Sequence, residues 1–169
     1  MNLDYLLAIE GIRQLHSRYV DAVFRKDYPA FRQCWTADAE WRIAGRVLRG
    51  HDEIGAFLEG AMGNFHRVIM TFRNPFIECD GDRVRSRVYV TERNGFKDGR
   101  PGGTIGTYFE KLERQHDGCW LRAWALFQLH YMGPADLTGS YFEQPDFGPP
   151  PGFPPLDTIP PDYSGLSAR

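Results

Sequence analysis

The dominant hydrophobic period of this chain changes near residue 66, and that change restricts the folds open to it. Before it, apolar residues recur at spacings of three and four. Ile9, Ile12, Leu15, Tyr19, Val20, Val23 and Phe24 do so over residues 4–26, and Ile54, Phe57, Leu58 and Met62 do so in a segment starting near His51. Both patterns are the buried stripes of amphipathic helices. After it the period is two. Val84, Ser86, Val88 and Val90 alternate with Arg83, Arg85, Arg87 and Tyr89, as in a half-buried antiparallel strand. Helices first and strands afterwards predict an α+β fold, with three N-terminal helices packed on one face of an antiparallel sheet.

Local signals set the boundaries. Asp27 is placed to cap a short second helix with Pro29 in its first turn; this helix carries Phe31 and Trp35 inward and ends near Ala37. Glu40 to Ile43 alternates like a strand, Gly45 breaks it, and Arg46 to Arg49 returns as its partner. Residues 67–79 read as one strand bent at Asn74–Pro75, because proline cannot donate to a ladder. Asp80–Gly81 supplies a hairpin turn. A glycine-rich loop, 95–103, precedes the strand 104–114, and His116–Gly118 turns into the last strand, 120–131. Residues 1–132 therefore form one domain.

Residues 133–169 hold nine of the twelve prolines, with Tyr141, Phe142, Phe147, Phe153 and Tyr163 between them. Composition alone suggests a polyproline segment. Aromatic rings are costly to leave in water, so the tail is expected to dock on the domain or on a neighbouring subunit.

Composition narrows the function. Hydrophobic residues are 42% of the chain and aromatics 14%, enough for a packed interior. A net charge of −2 with interspersed signs gives no footprint for nucleic acid or an anionic membrane. No apolar run has membrane-spanning length and the N-terminus has no leader pattern, so a cytoplasmic protein is expected. Cys34, Cys79 and Cys119 are scattered and odd in number; each is expected to be a small buried residue, not part of a disulfide. The five histidines have no metal-ligand spacing, and no metal site is expected. Arg83, Arg85 and Arg87 are expected to form a solvated strand face.

Three strings, in this order and spacing, carry a resemblance: CWTADAEWRIAG at 34–45, FRNPFIECDGDRV at 72–84 and GTIGTYFEKLERQHDGCWL at 103–121. Over roughly residues 5–131 the chain resembles the SnoaL-like branch of the nuclear-transport-factor-2-like superfamily. The resemblance implies a cone-shaped curved sheet and three helices enclosing an apolar pocket, and oligomers of two or three subunits. Its dehydrochlorinase and dehydratase members eliminate a small group without a cofactor. They use an Asp at the end of the first helix, a His on the first long strand and often an Arg on the last strand. Those positions fall here on Phe24, Met70 and Ala125, so the pocket is kept and the dyad is absent. A replacement pair of His66 with Asp21 would need His66, four residues before Met70, to share its strand face; a surface or hinge position for His66 is favoured.

The period of two supplies other candidates. If Val84 to Val90 face inward at even positions, so does Glu92. Gly106, Tyr108 and Glu110 share a parity, as do Ala123, Ala125, Phe127 and Leu129. The family pattern likewise implies that Trp41, Val90, Glu92, Tyr108 and Phe127 line the pocket, with Tyr19 facing it from the first helix. The expected wall comprises Phe24, Trp41, Phe65, His66 and Met70, together with Val90, Glu110, Ala125 and Phe127.

A carboxylate in such a pocket has a raised pKa and suits proton abstraction. Glu92 is therefore the candidate general base, and Tyr19 and Tyr108 are candidate positioning or oxyanion groups. The competing reading for Glu92 is a solvated pair with Arg93, and for Glu110 a pair with Lys111 or an arginine on the adjoining strand. The expected function is a cofactor-independent lyase acting on a small aromatic or hydroaromatic compound. The rivals are a non-catalytic binding protein and a structural subunit like the small subunit of ring-hydroxylating dioxygenases.

Overall fold

The computed structural model describes residues 3–142 and 150–153. Helix α1, Leu3–Arg25, buries Ile12, Leu15, His16, Tyr19, Ala22 and Val23 on one stripe. It ends where Lys26 takes a left-handed conformation (φ 57°) and donates from Nζ to the carbonyl of Phe65 at 2.6 Å. Asp27 then caps α2, Tyr28–Arg32, accepting from the Ala30 amide at 3.0 Å. The second helix is shorter than the sequence predicts, because strand β1, Trp35–Ile43, already begins at Trp35. Strand β2, Arg46–Arg49, pairs back on β1, and helix α3, Gly50–Met62, buries Ile54, Leu58 and Met62.

Five long or medium strands follow: β3, Phe65–Phe72; β4, Phe76–Asp80; β5, Arg83–Phe96; β6, Pro101–Arg114; and β7, Trp120–Gly133. A two-residue β8, Ser140–Tyr141, pairs with the end of β7. The sheet order is β2-β1-β7-β6-β5-β3, with β4 also on β5. The expected bend at Asn74–Pro75 separates β3 from β4, which pair with the two halves of β5. One pairing departs from the antiparallel pattern: β1 runs parallel to β7, because helix α3 and the whole meander intervene between them. The result is an α+β fold with a curved, unclosed sheet and the helices on its concave side.

Some sequence expectations fail at single residues. Cys34 is buried, but Cys79 and Cys119 are exposed, one on the edge strand β4 and one in the β6–β7 turn. Arg83 and Arg85 are solvated, but Arg87 is buried, its guanidinium stacked 4.6 Å from the Phe76 ring and 5.5 Å from that of Tyr89. Among the described residues, no helix is long and apolar enough to cross a membrane. Most of the proline-rich tail lies outside the described residues. In the described part, Phe153 packs on Phe109 and Trp124 with ring centroids 5.8 and 5.6 Å away.

Candidate functional site

A cavity of about 420 Å³ opens between the helices and the concave sheet face. Its walls are mostly apolar: Val23 from α1, Phe57, Leu58 and Met62 from α3, and Trp41, Ile43, Val68, Met70, Phe127 and Leu129 from the sheet. The polar groups on it are few: Tyr19, Glu92, Asn94, Thr104 and Tyr108. Phe142, just beyond β8, closes part of the mouth.

Strand register separates those polar groups into two poles. Glu92 lies opposite Thr104, and Tyr108 lies opposite Val88. Thr104 and Tyr108 are four residues apart on β6, a backbone spacing of about 13 Å at roughly 3.3 Å per residue, yet the Glu92 charge still acts on both tyrosine hydroxyls. Between them Gly106 makes room for the Phe127 ring, which a Cβ at Gly106 would strike.

At the first pole the Glu92 carboxyl is pushed up to about 7 because burial disfavours its charge; the side chains of Asn94 and Thr104, which hydrogen-bond to it, pull the other way. Asn94 also donates to Thr104 at 3.3 Å. Among the described residues no cation forms an ion pair with Glu92. At the second pole the hydroxyls of Tyr19 and Tyr108 lie 3.1 Å apart. Burial pushes both phenols well above the usual tyrosine range. The indole N–H of Trp41 and the Asn94 carbonyl oxygen are buried without a hydrogen-bond partner.

Beneath the tyrosines sits a buried charged cluster. Glu110 Oε1 accepts from Arg122 Nε at 2.7 Å, and Oε2 meets His16 Nε2 at 2.9 Å and accepts from the Ser86 hydroxyl. Glu110 and Arg122 are wholly buried. Desolvation by itself would raise the Glu110 pKa, but His16, Arg122 and Ser86 together hold it well below the usual carboxylate range. Arg122 spends only Nε on this pair; its two terminal nitrogens have no hydrogen-bond partner.

Seven of the twelve residues predicted for the site meet at the cavity: Tyr19, Trp41, Phe65, Met70, Glu92, Tyr108 and Phe127. Five do not. Phe24 lies one residue past the buried stripe, is 43% exposed, and carries the Arg67 guanidinium 5.0 Å from its ring. His66 is exposed because a bulge between Phe65 and Arg67 reverses the strand's alternation, so that Phe65, not His66, joins Val68 and Met70 on the inner face. Val90 and Ala125 face inward but are packed in the core. Glu110 is below the cavity, bound to an arginine of the adjoining strand.

Sequence reasoning missed Asn94, Thr104 and Arg122. The first two were reachable, by one more step of two beyond Glu92 and by its cross-strand partner. Arg122 was not. A second bulge, where Lys111 pairs with Trp124 but Leu112 with Arg122, turns Arg122 inward in place of Ala123. No group of three or more possible metal ligands occurs among the described residues.

Comparison with known proteins places this geometry. The SnoaL-like domain family matches residues 4–125. Among solved structures, LinA is 25% identical, with 85% of this chain and 98% of that one covered at a TM-score of 0.71. The hexachlorocyclohexane dehydrochlorinase LinA-type3 from Novosphingobium barchaimii LL02 is 22% identical, covering 86% and 100% at 0.72. A Novosphingobium aromaticivorans protein provisionally described as an aromatic ring hydroxylase is 26% identical, covering 69% and 85% at 0.65. A search of curated proteins found no match. With most of its length matched and the helices, curved sheet and cavity all in place, the chain belongs to the SnoaL-like domain family.

Proposed function

We propose that the cavity is the active site of a cofactor-independent lyase acting on a small aromatic or hydroaromatic compound. The observation that carries this reading is Glu92: a carboxyl in an apolar cavity, free of any cation among the described residues and titrating near 7. A base poised there is half ionised at neutral pH and is well matched to taking a proton from carbon or from a hydroxyl. In an elimination, Glu92 takes the proton, the C–H pair becomes the new C=C bond, and halide or hydroxide leaves with its own pair. In a retro-aldol step it takes a hydroxyl proton, formaldehyde departs, and the electron pair of the broken C–C bond stays on the remaining carbon. Tyr19, on α1, and Tyr108, four residues from Thr104 on β6, hold the other end of the substrate.

A dehydrochlorinase among the structural relatives favours this class of reaction. The test is turnover. Purified protein without added cofactor or metal is incubated with hydroxylated, halogenated and diaryl-propane aromatics, and loss of water, hydrogen halide or formaldehyde is followed by mass spectrometry. Turnover of a member that falls by about 10²–10⁴-fold in Glu92→Gln supports the reading. Undiminished turnover by that variant removes Glu92 from the mechanism.

One observation favours a second reading, a non-catalytic binding protein: Phe24 and Met70 stand where the family's general-base dyad is expected. Tight binding of an aromatic that is recovered unchanged would select it. The reading also includes a homo-oligomer of two or three subunits, a cytoplasmic location, and a tail, 133–169, that covers the domain or a neighbour.

A further inference from the structure

The lyase reading leaves Arg122 without a task. It is wholly buried, it has a counter-ion on one edge only, and two of its nitrogens find no acceptor. Burying an under-partnered cation is expensive, and a hydrophobic residue would fill the same space at less cost. The surroundings explain the position. The guanidinium carbon lies 4.0 Å from the centre of the Tyr19 ring, and 5.4 Å from that of Tyr108. The rings of Trp35 and Phe72 complete the enclosure at 5.4 and 5.6 Å. The two tyrosines thus separate the cation from the cavity, and their hydroxyls meet at 3.1 Å on its wall. Glu110, locked by His16 and Ser86, fixes the guanidinium from the side away from the rings.

We propose that Arg122 makes this deep end of the cavity a phenolate subsite, where one of the paired hydroxyls of Tyr19 and Tyr108 donates to the other and the second donates to a ligand's phenol oxygen, and the buried cation behind them favours its ionised form. The proposal deepens the lyase reading and rests on its placement of the tyrosines: the substrate is a phenol whose oxygen is anchored here while its side chain reaches Glu92. A water-poor, aromatic enclosure leaves the field of the cation poorly screened, so it acts through the rings on any charge that develops at the hydroxyls. Arg122 touches no ligand and is a positioning residue.

The probe is 4-nitrophenol, whose ionised form is read by its visible absorbance, with 4-nitroanisole as a matched ligand that cannot ionise. The wild-type protein should prefer the phenol. Burial raises the pKa of a phenol here, so the effect of Arg122 is read as a difference: Arg122→Met combined with Glu110→Gln, which removes both charges at similar volume, should raise the apparent pKa of the bound probe by about one unit above the wild-type value. Arg122→Lys, which keeps the charge, should hold most of that shift relative to the double variant. An equal pKa in the double variant and the wild type overturns the proposal. So does equal binding of the two probes, or no binding below about 1 mM. Loss of the shift in Arg122→Lys with the fold intact, read by circular dichroism, assigns the effect to packing and also overturns it. Turnover by Glu92→Gln is scored separately, so an inert Glu92 with a shifted probe refutes the base alone, and an active Glu92 with an unshifted probe refutes the subsite alone.

Discussion

At the scale of residues, two glutamates on one sheet face, Glu110 wholly buried and Glu92 partly so, are driven in opposite directions. Glu92 has a folded pKa raised from 4.5 to about 7, so the folded state holds its proton more tightly than the unfolded chain does. Its effect on stability is therefore neutral at low pH, and stability is lost as pH rises from the unfolded value through the folded one, by up to about 3 kcal/mol. Glu92→Gln should remove that loss, leaving a denaturation midpoint that is flatter between about pH 5 and pH 8 than that of the wild type. A steeper profile in the variant would contradict a Glu92 carboxyl whose charge is disfavoured by desolvation.

Glu110 has a depressed pKa, so its contribution is present above the ordinary carboxylate range and disappears as pH falls through and below it. Glu110→Gln alone strands the Arg122 charge and should cost about 3–5 kcal/mol in urea denaturation, with Arg122→Met plus Glu110→Gln recovering much of it. A double variant as unstable as the sum of its parts would show that the pair is not a unit.

At the scale of elements, bulges decide which residues reach the site. The helix–strand order, the three helices, the hairpin at Asp80–Gly81 and the break at Asn74–Pro75 all follow from local chemistry that the sequence displays. Glu92 and Tyr108 were legible because β5 and β6 keep a strict period of two between Val84 and Glu92 and between Thr104 and Glu110, apart from a bulge at Ile105–Gly106 that lies on the β7 side. Arg122 was not legible, and the exposed position of His66 was favoured without the bulge that causes it. Each lies at a place where one strand carries an extra residue, and nothing in the alternation of side chains marks that insertion. The parallel pairing of β1 with β7 is likewise a consequence of long-range closure that no local pattern encodes.

The same scale gives a prediction for Gly106. A Cβ there would strike the Phe127 ring and come within 2.6 Å of the Gln128 carbonyl oxygen. Gly106→Ala should cost about 1–3 kcal/mol by overpacking, and the displaced ring should weaken binding of aromatic ligands. Wild-type stability and ligand affinity in that variant would mean that the ring does not set the cavity's shape.

At the scale of the whole molecule, the open sheet leaves edges and apolar surface uncovered among the described residues. Ile69 on β3 and Phe76 on β4 are 48% and 54% exposed at one end of the sheet, and Leu3, Leu6 and Leu7 are exposed on α1. Edges of this kind associate, which motivates the homo-oligomer in the functional proposal. Light scattering should give the mass of a dimer or trimer; a monomer at all concentrations would contradict it. A chain ending at Met132 loses β8, Phe142 at the cavity mouth and Phe153 over Phe109 and Trp124. It should be less soluble and should release an aromatic ligand faster than the full chain.

The proposed reaction depends on Glu92 being a base held near neutrality by its apolar cavity. The most direct measurement is the infrared carboxyl band of Glu92 against pH, isolated as the difference between wild type and Glu92→Gln. A single protonation midpoint at about 7 is expected. A midpoint near 4.5, the ordinary value, would make Glu92 a solvated carboxylate and remove the base from the proposed reaction.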